Sequence, residues 1–230
     1  NSDWQVPVFV SRGVVVQTAA MIGVGGYLLL VALGGYYVRD FGNYDIIGHT
    51  KDDAAGEAID KVAKLLELGY PGGPKIEQLA RNVDFTDFYT YPRGKSNTYD
   101  FSFSGLKTAV LYDLIEKGIY DPDHKQLVNN NEHVKEQVAS SLLVCIADIF
   151  INKIHLALKT HKKTQAITFA GGVASNTYIR DRLKTYAKSC GMSLYTPSKA
   201  YCTDNAAMIA LVASHYVEKE QFNNLYLDIT

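Results

Sequence analysis

The spacing of apolar residues changes along the chain, and each change marks a new kind of element. Gly13 to Val38 carries no charged residue, and six glycines divide it into strand-length pieces such as Val14–Gln17 and Tyr27–Leu33. A charge-free run of this length could cross a bilayer, but short β-branched pieces between glycines fit buried sheet strands better. No basic segment leads into it, so a signal peptide is not expected. Tyr36–Asp40 and Tyr44–Thr50, joined by Phe41-Gly42-Asn43, predict a hairpin.

From Lys51 the period lengthens. Ile59, Val62, Ala63 and Leu66 recur at three and four, which predicts a helix capped by Asp52-Asp53 and ended by Gly69 and Pro71. Pro74 suits the first position of a following helix through Ile76 and Leu79. Val83–Tyr99 has no period and reads as an irregular surface segment, after which Ser104 is the expected cap of another helix. Asp121–Glu132 reads as a linker. Val134, Val138, Leu142, Cys145, Ile146, Ile149 and Ile154 then form the apolar stripe of the longest helix, about Glu132 to Thr160, laid over one face of a sheet.

The segment from Gln165 to Asn205 organises the rest. Gln165–Ala170 predicts a strand that Gly171-Gly172 stops. A helix opens at Asn176 and runs through Tyr178, Ile179, Leu183 and Tyr186 to Gly191. Ser193–Tyr195 predicts a second strand, and a loop carrying Asp204 and Asn205 opens a last helix through Ile209 and Val212. Strands first, helices later and strand-helix-strand-helix at the end predict α/β layers with helices on the sheet faces. Glycines without side chains let backbone N–H groups approach a phosphate, and a helix N-terminus favours negative charge. Both loops would leave the carboxyl ends of strands, so Asp204 would face the same crevice as the glycines. The ordinary alternatives are a Gly-Gly turn that only allows close packing and an Asp that only caps a helix.

Composition narrows the partners. The 230 residues carry a formal net charge of −1, so nucleic acid would have to be held by a local patch or by a partner subunit. Three cysteines without CxxC spacing suit a reducing compartment. Arg93 and Lys95 are interleaved with aromatic residues, which could hold single-stranded nucleic acid or simply pack a long loop. For Asp60 the ordinary reading is a solvated acid or a pair with Lys61 or Lys64.

Four ordered motifs carry a resemblance: DDAAGEAIDKVAKLLELGYPGGPKIEQLA (52–80), FSFSGLKTAV (101–110), GGVASN (171–176) and CTDNAAMIA (202–210). Together they resemble the TsaD/Gcp family, in its bacterial and organellar form. The resemblance implies the actin/Hsp70/sugar-kinase-like (ASKHA) α/β fold, mainly its C-terminal lobe, with a mixed sheet and flanking helices. Residues 28–230 would form that nucleotide- and substrate-binding lobe, and 1–27 an altered or remnant N-terminal segment. It implies transfer of a threonylcarbamoyl group from threonylcarbamoyl-AMP to N6 of the adenosine next to the anticodon of ANN-reading tRNAs, with no covalent protein nucleophile. Asp60 and Gly73 resemble contacts to the nucleoside, Glu77 stands where members often have Asp, Asn176 resembles another substrate contact, and Gly171 and Gly172 shape the turn. Asp204 resembles the family's carboxylate ligand to one divalent metal, Fe²⁺ or Zn²⁺. The implied partners are tRNA and TsaB-like and TsaE-like subunits, with a cytoplasmic location and no membrane. Arg93, Lys95 and Lys107 are the candidate tRNA contacts.

The sequence departs from that pattern in two places. The six histidines include no His-x3-His pair, which the family's metal site needs. The family's Ser-Gly-Gly-His-Thr turn is also altered: Gly34-Gly35 is followed by Tyr36, and Gly25-Gly26-Tyr27 is a rival alignment. Either the chain is an incomplete or remodelled enzyme, or it is a non-catalytic scaffold that binds nucleotide or a TsaB-like partner.

Overall fold

The computed structural model describes residues 27–31, 34–40, 43–128, 131–203 and 205–218. The expected strand Val14–Gln17 and residues 1–26 of the remnant segment lie outside the described residues, and its last residue, Tyr27, opens the first strand.

One mixed sheet carries the fold. Its strands are β1 (Tyr27–Val31), β2 (Gly34–Asp40), β3 (Asn43–His49), β6 (Ala166–Phe169) and β7 (Ser193–Tyr195), in the order β3-β2-β1-β6-β7. A separate ribbon pairs β4 (Tyr120–Asp121) with β5 (Gln126–Leu127) inside the stretch expected as a linker. β1 runs parallel to β6 in the register Leu28↔Ile167 and Leu30↔Phe169, and β6 runs parallel to β7. β2 is antiparallel to both neighbours, and its pairing with β3 is the hairpin expected of Tyr36–Asp40 and Tyr44–Thr50. Because β6 and β7 are parallel, the chain leaves both at the same edge of the sheet.

The long helix, here α4 (Glu132–Thr160), has the expected bounds, with the Asn131 side chain accepting from the Val134 N–H at 3.3 Å. Its apolar surface exceeds a stripe. Every residue from Val138 to Ala147 is buried, because helices and the 83–99 segment enclose it on several sides. Among the described residues it is the one helix long and apolar enough to cross a membrane, and 67% of that apolar window is buried inside the protein. The apolar length is used by the core. Phe150 packs edge-on to Phe169 at 5.2 Å and lies 5.7 Å from Phe101 and 6.0 Å from Phe103, an aromatic knot between helix and sheet.

Three helix boundaries differ from expectation. Helix α1 (Ala55–Leu65) begins at Ala54 with no side-chain cap, and it ends before Gly69. Asp53 instead binds Lys61 at 2.6 Å. Asp52 turns to helix α3 (Ser104–Glu116), accepting from Ser102 Oγ at 2.6 Å, Phe103 N–H at 2.7 Å and Ser104 N–H at 3.1 Å. Ser104 is therefore the first residue of α3 and not its cap. Helix α2 (Gly72–Arg81) starts two residues ahead of Pro74, with Pro71 at its N-cap.

The irregular 83–99 segment is as expected and is tied down by α4. Ser141 Oγ accepts the Phe88 and Tyr89 N–H groups at 2.9 and 3.0 Å, and the buried Lys153 donates to Thr98 O at 2.7 Å. Arg93 donates to Asp148 at 3.0 Å, to Asp87 at 2.6 Å and to Tyr91 O at 2.9 Å. That corrects its place among the tRNA contacts: its charge and donors are engaged within the loop and α4. Lys95 and Lys107 remain exposed.

Candidate functional site at the carboxyl edge of the sheet

β6 ends at Phe169, and Gly171 turns the chain with φ +91°, a left-handed value that a side chain would strain. A short 3-10 turn (Gly172–Ser175) follows, and then helix α5 (Thr177–Ser189). Asn176 is the cap of α5: it is buried, and its Oδ1 accepts the Ile179 N–H at 2.9 Å. Its Nδ2 donors have no acceptor among the described residues.

Two long-range links bring α1 and α2 to this turn. Asp60 Oδ1 on α1 accepts the Gly72 N–H at 2.8 Å and so fixes the start of α2. Lys61 binds Asp53 and Glu57, so neither sequence-based pairing of Asp60 is adopted. One turn of α2 separates Gly73 from Glu77. Glu77 Oε1 accepts the Thr177 N–H at 3.2 Å, bonds the Thr177 hydroxyl, and lies 3.2 Å from Arg81. A carboxylate at the first turn of α5 is favoured by the helix dipole. The second oxygens, Asp60 Oδ2 and Glu77 Oε2, have no donor among the described residues. Between them, a Cβ built on Gly73 would meet nothing within 4 Å, so the backbone is open to a ligand there. Asp60 also lines a depression of about 590 Å³ with Glu57, Lys61, Lys64, Glu67, Gly69 and Tyr70.

The expected anion site included both the glycine turn and the helix start. At α5 the N–H groups of Thr177, Ile179 and Arg180 are taken by Glu77, Asn176 Oδ1 and the Asn176 carbonyl. The amides of Gly172 and Val173 have no acceptor among the described residues. The backbone donors without an acceptor among the described residues are thus Gly172 and Val173 in the glycine turn and Tyr178 at the helix start. Successive free N–H groups in such a turn form a concavity that suits an anion.

The second loop comes to the same place. Arg180 latches it, donating to Ala174 O in the turn and to Pro197 O at 2.7 Å and Cys202 Sγ at 3.0 Å in the loop. Thr203 Cγ2 lies 3.9 Å from where a Cβ on Gly172 would be. Asp204 itself lies outside the described residues. The ordinary reading of it as a cap is met by its neighbour: Asn205 Oδ1 accepts the Met208 N–H at 3.0 Å at the start of α6 (Ala206–Glu218). Among the described residues no three His, Cys, Asp or Glu side chains gather in a way that could hold a metal.

Asp60, Gly73, Glu77, Gly171, Gly172 and Asn176 therefore border one edge of the sheet. Thr177 and Arg180 were invisible in sequence. The partner of Thr177 lies 100 residues away, and Arg180 has only the appearance of a helical basic residue.

The family model described as TsaD, tRNA N6-adenosine threonylcarbamoyltransferase, matches residues 35–211. The chain belongs to the TsaD family. Its α/β architecture, a mixed sheet with flanking helices, is the ASKHA type of that family. The tRNA N6-adenosine threonylcarbamoyltransferase of Kosmotoga olearia is 43% identical over 203 residues, covering 86% of this chain and 57% of that protein. The namesake from Thermodesulfovibrio yellowstonii is 41% identical over 209 residues, covering 88% of this chain and 60% of its own. This TsaD chain spans about three fifths of the length of these relatives.

Proposed function

We propose that this chain supplies the nucleotide-binding lobe for transfer of a threonylcarbamoyl group from threonylcarbamoyl-AMP to N6 of the adenosine next to the anticodon of ANN-reading tRNAs. The supporting observation is the pairing of open donors at Gly172 and Val173 with Glu77, which holds the first turn of the following helix, and with Asp60, which fixes the start of α2 beside the open backbone at Gly73; each carboxylate keeps one oxygen without a donor among the described residues. The amides suit the adenylate phosphate. Asp60 Oδ2 and Glu77 Oε2 suit ribose hydroxyls, which are donors, and the Asn176 amide can donate to a further oxygen. In the transfer, N6 bonds to the carbamoyl carbon, the carbon–oxygen bond to phosphate breaks, one N6 proton passes to solvent and AMP departs. Fixed N–H groups aimed at that phosphate stabilise its growing charge without reorganising.

A divalent metal, Fe²⁺ or Zn²⁺, held by Asp204 belongs to the same proposal; among the described residues, which leave out Asp204, no three His, Cys, Asp or Glu side chains gather to hold one, and no step is routed through it. TsaB-like and TsaE-like subunits and a cytoplasmic setting belong to the same proposal. One observation favours a second reading as a non-catalytic scaffold: no two of the six histidines stand four apart. The deciding experiment incubates the chain with tRNA, threonylcarbamoyl-AMP, Fe²⁺ or Zn²⁺ and bacterial-type partners, and measures modified adenosine by nucleoside mass spectrometry. Product that disappears in Asp204→Ala supports the transferase. No product, beside a working full-length relative, supports the scaffold.

A further inference from the structure

Charge in this chain is segregated, and the net value conceals it. From Ile149 to Thr203 there are nine Lys and Arg residues and one acid, Asp181, within a chain of formal net charge −1. Lys153, Arg180 and Arg182 are engaged internally, Arg182 with Asp148 at 2.7 Å. Lys159, Lys162, Lys163, Lys184 and Lys188 are exposed and make no ion pair among the described residues.

The fold collects these five at one end. The contacts Asp148–Arg182 and His155–Tyr186 advance in the same direction along α4 and α5, so the two helices run side by side and finish together. His161 then stacks on Tyr37 at 4.5 Å, and Thr164 closes a turn onto His161 O at 2.6 Å, which holds Lys162 and Lys163 in place. Tyr37 pairs with Leu28, and Leu28 with Ile167, so this is the end where β6 begins, opposite the Gly171 turn. Asp45, which faces Tyr37 across the β2–β3 ladder, is occupied by Arg39 at 3.0 Å. Offsetting the helix dipoles accounts for Lys159 and Lys188 but not for Lys162 and Lys163, which lie beyond the end of α4.

We propose that this lysine end, Lys159, Lys162, Lys163, Lys184 and Lys188, is a docking surface for the RNA phosphate backbone. α5 joins it to the candidate site: the helix opens at Asn176 and, with 13 residues, carries its last turn about 20 Å away. A tRNA held by its anticodon loop at Gly171 would lay its stem along α5 onto the lysines, and in this the proposal rests on the transferase reading. Unpaired cations at that reach favour a polyphosphate over an acidic protein, because phosphates repeat along a strand at a spacing that several lysines can follow together.

The test measures binding of an unmodified ANN-reading tRNA transcript to the full chain by fluorescence anisotropy over a series of KCl concentrations. Charge reversal in the pairs Lys162→Glu with Lys163→Glu, and Lys184→Glu with Lys188→Glu, should each weaken binding roughly tenfold or more and flatten the slope of log affinity against log salt by about 1.5. Binding of threonylcarbamoyl-AMP should be unchanged in both, which also reports an intact fold. Wild-type tRNA affinity and slope in both variants would overturn the proposal. So would unchanged tRNA affinity with lost binding of poly-glutamate, which would assign the surface to an acidic protein. Lysine-dependent tRNA binding by a wild-type chain that fails to bind threonylcarbamoyl-AMP would keep the docking surface and sink the transferase reading instead.

Discussion

Two adjacent glycines separate folding from ligand binding in this site. At Gly72 an added Cβ would stand 2.5 Å from Ala63 Cβ, 2.8 Å from Asp60 Oδ1 and 3.1 Å from Asp60 Cα. Two of these atoms belong to the α1 core and backbone, so Gly72→Ala must push α1 and α2 apart and stretch the Asp60–Gly72 hydrogen bond. Overpacking of this kind costs about 1–3 kcal/mol. At Gly73 the added Cβ meets nothing within 4 Å, and alanine is the better helix former by up to about 1 kcal/mol. Gly73→Ala should therefore leave stability unchanged or slightly raised while placing a methyl group over the backbone that a nucleotide would approach. Urea unfolding followed by far-UV circular dichroism reads the first effect, and titration with a fluorescent ATP analogue reads the second. The expected pattern is a lowered midpoint for Gly72→Ala, and a native midpoint with at least tenfold weaker nucleotide binding for Gly73→Ala. Equal destabilisation by the two, or native nucleotide affinity in Gly73→Ala, would refute the assignment of open backbone at Gly73.

Three further outcomes follow from the same geometry. Burial opposes the charge on Asp52, but hydrogen bonds from Ser102, Phe103 and Ser104 outweigh it and hold the carboxyl at about 2 against an ordinary 3.8. Its contribution to stability is thus present above pH 4 and lost as pH falls toward 2; Asp52→Asn should cost about 1 kcal/mol near neutrality, given its exposure, and abolish that part of the acid dependence of the urea midpoint. Burial pushes the Cys145 thiol up to about 12 and Cys202 is also buried, whereas Cys190 is exposed, so a thiol reagent at pH 8 should titrate one fast group that Cys190→Ser removes. Arg93→Ala should lower stability by about 1 kcal/mol by stranding the half-buried Asp87 and leaving Asp148 to Arg182 alone, with tRNA affinity unchanged in anisotropy, as its donors face the protein.

What the sequence disclosed depended on how local each cause was. α4 and β7 were legible because their signals, a helical apolar period and a short run between Gly191 and Pro197, lie within or beside the elements, although the Asn131 cap of α4 was read as part of a linker. The caps were misplaced because Asp52 serves amides about 50 residues on, and no local rule can choose between the α1 start beside it and the α3 start across a loop. In the site, the Gly171-Gly172 turn and the Asn176 cap were readable as a unit, but the filling of the α5 start was not. It takes Glu77, on a helix 100 residues earlier, to occupy Thr177. The lysine end was hidden by averaging, since acids elsewhere in the chain cancel it in the net charge of −1.

The central claim is that the Gly172 and Val173 amides hold the phosphate of a bound adenylate. Amide hydrogen exchange followed by NMR, with and without threonylcarbamoyl-AMP, addresses those two groups directly. The account requires both to exchange quickly in the free chain and to be protected at least tenfold by ligand. Ligand binding that protects the α5 amides of Thr177 to Arg180 while leaving Gly172 and Val173 unchanged would contradict it.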